Sequence, residues 1–402
     1  MESLRIAVGL ERRFERRRFA VSVLLALAAF SPSALPASFP EPLYELMAPG
    51  VAYGRVELRR GPLVYHVVKA DIRAAGLRIE PIRAEGAETL AQMVERLLER
   101  REPLIAAING DYFDRKSGSA VPWGVHVTGG KLLFSPTAKS AFLIGPKGRP
   151  FIGKAKLKLG IRFGKRGAYL PVAAVNRPRA KDRSGFFVYT PAWGATVQAP
   201  LGGLALVLSG GELKLGPAVS CVLERMELGG AEVEIPEGGM VITHENRRAR
   251  VFARLKIGGA VVLRGVLEPP ARSAIGGGPR LVRRGKVSVE FNEENFSPSH
   301  VRYLSGRHPR SAVGYDRSRT AVLLVVVEGR TKSSAGISMQ GLAQLMCSLG
   351  AYEAMAFDGG GSSTLYVAGM LVGWGSTGKG NVAERRLANA LGIFYKHSGR
   401  QP

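Results

Sequence analysis

Residues 51–82 alternate apolar and polar positions, with Val64, His66 and Val68, then Leu77 and Ile79, at every second place. That period predicts strands at a sheet edge and makes His66 a strand residue rather than a ligand. The pattern then changes. Across residues 88–100, Leu90, Met93, Val94, Leu97 and Leu98 recur at helical spacing, which predicts an amphipathic helix closed by Pro103. Residues 104–108 form a short apolar run, a buried strand that ends in Asn109-Gly110-Asp111-Tyr112-Phe113-Asp114. Polar groups and a glycine directly after a core strand suit either a site or an Asn-Gly hairpin turn.

From residue 121 to 284 the pattern predicts short strands and turns with no long helix. Phe186-Phe187-Val188-Tyr189 reads as an aromatic strand, residues 201–234 as hairpins, and His244 as part of an exposed loop. Gly276-Gly277-Gly278 feeds a further strand, but without GxGxxG spacing or a following helix it is weak support for phosphate binding. Residues 321–327 are a very apolar strand closed by Glu328-Gly329-Arg330. Residues 338–349 give the clearest helix: Ser338 caps it, Leu342, Leu345, Met346 and Leu349 line one face, and Gly350 ends it. The strand leading to Asp358 follows at once. Strand, helix, strand predicts a βαβ unit, with Glu328 and Asp358 at the C-terminal ends of neighbouring parallel strands, where open α/β sheets hold ligands. The expected fold class is α+β: a strand-rich mixed sheet with a C-terminal βαβ unit and few helices.

The 51 glycines and 24 prolines among 402 residues agree with many turns. A formal charge of +25 favours anionic partners but says nothing about fold. The N-terminus differs from the rest. Arg12, Arg13, Arg16, Arg17 and Arg18 precede an apolar run at residues 19–30, and small residues near Ala34 and Ala37 follow. This is the order of a secretory signal. An N-terminal run of twelve residues is short for a bilayer span, and no later segment is long and apolar enough for one. The division expected is therefore a signal peptide or N-terminal anchor over 1–37, strands and a helix over 38–100, and one large domain over 101–398. Cys221 and Cys347 lie in no metal-ligand spacing and read as buried free thiols.

Several chemistries lack their residues. There is no HExxH, no paired CxxC and no GxSxG, and the six histidines are scattered, which leaves a zinc site or a Ser-His-Asp triad without support. Gly373-Trp374-Gly375-Ser376-Thr377-Gly378-Lys379-Gly380 is a near miss for a phosphate-binding loop, with glycine where the Mg²⁺-holding hydroxyl belongs. Nucleic-acid binding rests on charge alone, without a motif or interleaved aromatics. The richest stretch is Phe357-Asp358-Gly359-Gly360-Gly361-Ser362-Ser363: a carboxylate leaving a buried strand into three glycines and two hydroxyls. Glycine admits close backbone approach at a conformational cost that a plain hairpin need not meet. The alternative is a tight turn whose aspartate caps local N–H groups.

Taken together, Asn109-Gly110-Asp111-Tyr112-Phe113, Gly276-Gly277-Gly278-Pro279-Arg280, Arg310-Ser311-Ala312-Val313-Gly314-Tyr315-Asp316, Glu328-Gly329-Arg330 and Asp358-Gly359-Gly360-Gly361-Ser362-Ser363 resemble the phosphodiester glycosidase family, in the family's order, between about Ala52 and Tyr395. Two positions depart: the family usually has glycine at Asp111 and aspartate at Glu328. The resemblance implies a hydrolase that cleaves the sugar C1–O bond of a sugar-1-phosphodiester, N-acetylglucosamine-like, in an anionic glycan or glycolipid.

The chemistry needs a carboxylate at C1 and cations on the phosphate. Asp358 suits the carboxylate, with Asp111 or Glu328 as partner. Arg310 suits the phosphate through a bidentate fork, with Arg330 or Arg385 as a second clamp. Asn109, Ser362, Ser363 and the N–H groups of Gly359 and Gly360 would orient hydroxyls and phosphate oxygens. No cofactor and no metal are called for. The expected location is extracytoplasmic, with peripheral contact to anionic envelope surfaces. The rival expectation is an exported, non-catalytic binding module for phosphate-bearing glycans.

Overall fold

A computed structural model describes residues 39–59, 61–114, 120–164, 166–179, 184–246, 248, 251–252, 255–373 and 384–396. The expected signal peptide and most of the near-miss glycine loop at 373–380 lie outside these residues. The chain from Ser38 onward forms one compact unit. Among the described residues, no helix is long and apolar enough to cross a membrane.

Strands dominate, as the glycine and proline content required. An eight-stranded sheet runs in the order Glu45–Ala48, Val51–Leu58, Leu63–Asp71, Ala321–Val327, Arg310–Tyr315, Glu353–Ala356, Arg280–Arg283, Lys286–Val287. Leu63–Asp71 is thus an interior strand and not an edge, with partners on both sides. A five-stranded sheet runs Met370–Val372, Leu365–Val367, Leu104–Asn109, Leu387–Tyr395, Leu77–Glu88. Between these two sheets lies a continuous core that includes Val68, Ile108, Val313, Leu324, Met355, Phe357 and Leu391. A third, five-stranded sheet, a seven-stranded closed barrel and a two-stranded sheet of Thr196–Gln198 with Glu232–Glu234 complete the described architecture. The barrel encloses its own core around Leu159, Ile161, Val188, Leu206 and Leu263. It also contains a parallel pair, Leu170–Val175 with Phe186–Tyr189.

The C-terminal strand–helix–strand segment departs from expectation in one decisive way. Ala321–Val327 and Glu353–Ala356 are not neighbours. Arg310–Tyr315 lies between them, antiparallel to both. Its cause is local: Arg310–Tyr315 folds back on Ala321–Val327 as a hairpin, with Arg310 opposite Val327. The antiparallel insertion brings the start of the Arg310 strand to the edge where its two flanking strands end. Arg310 therefore stands between the exits that carry Glu328 and Asp358.

Two helices form where the apolar spacing places them. Leu90–Glu99 is capped by Thr89, which pairs reciprocally with Gln92, and buries Leu90, Met93 and Val94. Met339–Ser348 is capped by Ser338, whose side chain accepts from the Gly341 N–H. A third helix, Pro298–Ser305, buries Leu304 alone. His244 ends a strand and packs on Phe186 at 4.6 Å between ring centroids rather than lying in an open loop. Both cysteines are free; Cys221 is buried, whereas Cys347 is only partly so. Burial pushes the Cys221 thiol up to about 11.

Candidate functional site

The Asp358 loop and the Asn109 loop meet. Asp358 N–H donates to the Gly110 carbonyl at 2.9 Å. The Asn109 side-chain amide donates to the Asp358 carbonyl at 2.7 Å, and its oxygen accepts from Ser311 Oγ at 2.6 Å and from the Thr364 N–H at 3.2 Å. Asn109 is fully buried. Its polar atoms are thus engaged in holding the turn.

The backbone of the glycine turn is similarly occupied. Gly359 N–H donates to Asp358 Oδ1 at 2.9 Å. The N–H groups of Gly360, Ser362 and Ser363 reach the carbonyls of Pro309, Gly359 and Gly360 at 2.8, 3.3 and 3.2 Å. The expected nest of glycine N–H donors is closed on itself. The three glycines serve another end, visible from what a side chain there would strike. A Cβ on Gly359 would lie 3.2 Å from Arg310 Nη1, one on Gly360 3.2 Å from Arg330 Nη2, and one on Gly361 2.7 Å from Arg385 Nη2. Each glycine seats one guanidinium group against the turn.

Arg310 is fully buried, and burial lowers its pKa while the Tyr112, Tyr303 and Asp358 charges oppose that shift. Its Nε donates to Ile337 O at 3.2 Å, and Nη2 to Leu304 O and Gly306 O at 2.8 and 2.9 Å. Only Nη1 has no protein partner. The bidentate fork expected of Arg310 is therefore not available: three backbone carbonyls hold the head and leave one N–H edge beside Gly359. Arg330, at φ +63°, donates to Tyr303 Oη at 2.9 Å. Arg385 reaches Ser362 Oγ at 3.5 Å.

Asp358, Gly359, Arg310 and Arg385 line a cleft of about 300 Å³ together with Tyr112, Phe113, Trp123, Phe296, His300, Tyr303 and Leu304. The Tyr112 ring stacks on Trp123 at 5.5 Å and meets Phe296 edge-on at 6.2 Å. Its hydroxyl is buried without a hydrogen-bond partner. Burial, reinforced by the Asp358 charge, raises the Tyr112 pKa, so the hydroxyl stays protonated. The sequence reading did not assign this aromatic wall to the site, although Tyr112 sits inside the Asn109 motif.

The other two carboxylates stand elsewhere. Asp111 is buried, accepts from the Gly124 N–H, and has a second oxygen with no partner. Burial pushes its pKa up to about 7, against the Gly124 hydrogen bond and the Arg177 charge, with Asp358 adding to the rise. Glu328 Oε1 accepts from His66 Nε2 at 2.8 Å, and His66 Nδ1 meets Tyr53 Oη at 2.9 Å. Neither Asp111 nor Glu328 lines the cleft. Ser362 and Ser363 are buried beneath it. Among the described residues, no group of three His, Cys, Asp or Glu side chains could hold a metal ion.

Residues 225–394 match the family model described as phosphodiester glycosidase. Over 92 residues the chain is 36% identical to the SPbeta prophage-derived uncharacterized protein YomE of Bacillus subtilis strain 168, covering 23% of this chain and only 14% of that protein. A hypothetical protein from Synechocystis superposes with a TM-score of 0.69 at 22% identity, over 90% of this chain and 65% of the other, just under two thirds of its length. A candidate exported protein of Burkholderia pseudomallei K96243 gives a TM-score of 0.62 at 19% identity, over 83% of this chain and 74% of that one. These two likenesses establish the fold.

Proposed function

We propose that this chain, which matches the phosphodiester glycosidase family over residues 225–394, is an exported hydrolase that cleaves the C1–O bond of a sugar-1-phosphodiester. The observation that carries the reading is the set of three guanidinium groups seated on the Gly359–Gly361 turn directly behind Asp358. A phosphodiester holds one negative charge, and the phosphomonoester that leaves holds up to two. Arginines fixed around the phosphate therefore bind the transition state more tightly than the ground state. Arg310 cannot swing away, because three carbonyls hold it.

The remaining steps fall to the cleft. The sugar lies against the Tyr112 and Trp123 rings. Asp358 stabilises the positive charge that grows at C1 as the bond to oxygen stretches. Water supplies the new hydroxyl at C1, and the phosphomonoester departs with the former bridging oxygen. Asp111, whose pKa burial raises, lies outside the cleft and acts on Asp358 through charge without touching substrate. The charge cluster at Arg12 to Arg18 ahead of residues 19–30 supports export.

The test is hydrolysis of N-acetylglucosamine-1-phosphate methyl diester in ¹⁸O-water, followed by mass spectrometry of both products. The expected result is label in the sugar. Label in the phosphate would mean P–O cleavage and overturn the assignment, and binding without any release would make the chain a binding module.

A further inference from the structure

A second and larger cleft shares Trp123 with the first. Its volume is about 740 Å³, more than twice that of the Asp358 cleft. Trp193 faces it, and Thr137, Thr196, Lys139 and Asp114 supply polar groups; Arg177 lines it too, but its guanidinium is held by the carbonyls of Pro122, Gly124 and Ser135. Two of the chain's three tryptophans therefore line one opening. Both are half-buried, so each exposes part of an indole to solvent at a site the fold could have filled with a smaller side chain. Trp193 is braced edge-on against buried Tyr189 at 5.2 Å, which fixes its orientation. Lys139 lies 3.5 Å over the Phe296 ring at the junction of the two clefts, its ammonium held by the Glu294 carbonyl at 2.7 Å. Flat indoles with scattered hydroxyl and amine partners suit the apolar faces and polar rims of sugar rings, and the size is that of a ligand pocket.

We infer that this cleft is a donor-side saccharide subsite, so that the substrate is an oligosaccharide or polysaccharide carrying the phosphodiester at its reducing end. The inference rests on the hydrolase reading above. Its direction follows from the walls: Arg310, Arg385, Asp358 and Gly359 line the first cleft and none lines the second, whereas Trp123 is common to both. With the phosphate at the arginines and C1 at Asp358, chain continuing past Trp123 continues from the body of the sugar. The alcohol on the phosphate leaves on the arginine side.

The experiment compares a monosaccharide-1-phosphate methyl diester with the tetrasaccharide-1-phosphate methyl diester of the same sugar. It uses the wild type, Trp193→Ala and Thr196→Trp, the last filling the cleft from an exposed strand position and guarding against a folding defect in the first. The wild type should prefer the tetrasaccharide by about tenfold or more in kcat/KM. Both variants should lose that preference while turning over the monosaccharide as the wild type does. Equal use of both substrates by the wild type, or equal loss on both by the variants, would overturn the inference. So would a loss that follows the size of the alcohol on the phosphate, which would make the cleft an aglycone site. If neither diester is hydrolysed, the hydrolase reading fails separately. Calorimetric titration with the neutral, phosphate-free tetrasaccharide then decides the subsite, since binding must occur in the wild type and weaken at least tenfold in both variants.

Discussion

The chain contains two triple-glycine loops, and they are glycine-rich for opposite reasons. At Gly359–Gly361 a side chain would crowd three guanidinium heads: carbonyl-held Arg310 together with the Pro309 carbonyl at Gly359, Arg330 with the Tyr303 hydroxyl at Gly360, and Arg385 at Gly361. At Gly276–Gly278 it would strike mostly interior that cannot withdraw: Asp111 Oδ2, and Gly124 Cα at 2.5 Å, for Gly276; Met355 Cε, and the Ala356 carbonyl at 2.6 Å, for Gly277; and Glu294 Oε2 for Gly278. The first loop admits charge that a ligand can meet. The second lets strands cross. A glycine run read from sequence says that something approaches closely, and only the identity of the approaching group separates a site from a crossing point.

The comparison can be broken most severely at Asp358. Asp358→Asn keeps the size and most of the hydrogen bonding of the turn, so the melting temperature should hold while single-turnover release falls on the order of a thousandfold. A folded variant with near wild-type turnover would reduce the first loop to a turn like the second. Next in size, Gly276→Ala should lower stability by about 2–3 kcal/mol in urea unfolding, because backbone and a buried carboxylate cannot withdraw. Its folded fraction should retain most of its specific activity. Gly361→Ala should show the converse: stability nearly unchanged, since the Arg385 head can move, and kcat/KM down roughly fivefold on the diester.

A separate test reads the carboxylate against which Gly276 packs. Asp111 titrates near 3.8 when unfolded and about 7 when folded, so the native state retains a proton that the unfolded state releases between those values. Stability should therefore decline as pH rises from about 4 to about 7, by roughly 1 kcal/mol for each pH unit. Asp111→Asn should flatten that decline in a series of unfolding curves; a slope unchanged from the wild type would assign it to other groups.

What could be read from the sequence divides along the same line between local and distant causes. Helices Leu90–Glu99 and Met339–Ser348 announce themselves through apolar spacing and caps formed by neighbours in the chain. Pro298–Ser305 does not, since with Leu304 as its one buried residue it has no apolar face to display. The Asp358 motif is legible, but the insertion of the Arg310 strand between its two neighbours is a pairing choice that periodicity does not encode. The same holds for Arg310, whose residue type suggested phosphate binding but not the three carbonyls that restrict it to one edge. His66 reads correctly as a strand residue, yet its bond to Glu328 depends on a partner brought from the far end of the chain.

The way the two ends of the chain interleave carries a consequence for handling the molecule. The last described strand, Leu387–Tyr395, sits between Leu104–Asn109 and Leu77–Glu88, and Leu63–Asp71 flanks Ala321–Val327. The stretch that matches the family, residues 225–394, therefore lacks the strands that cover its own edges. Expressed alone it would present long apolar edges to solvent and invite association with other chains. A growing polypeptide meets the same difficulty in time: its first strands wait for its last, the kind of non-local closure that makes folding slow and late. Deletion variants cut at the family boundaries would thus report on aggregation, and point substitutions in the whole chain are the way to interrogate its chemistry.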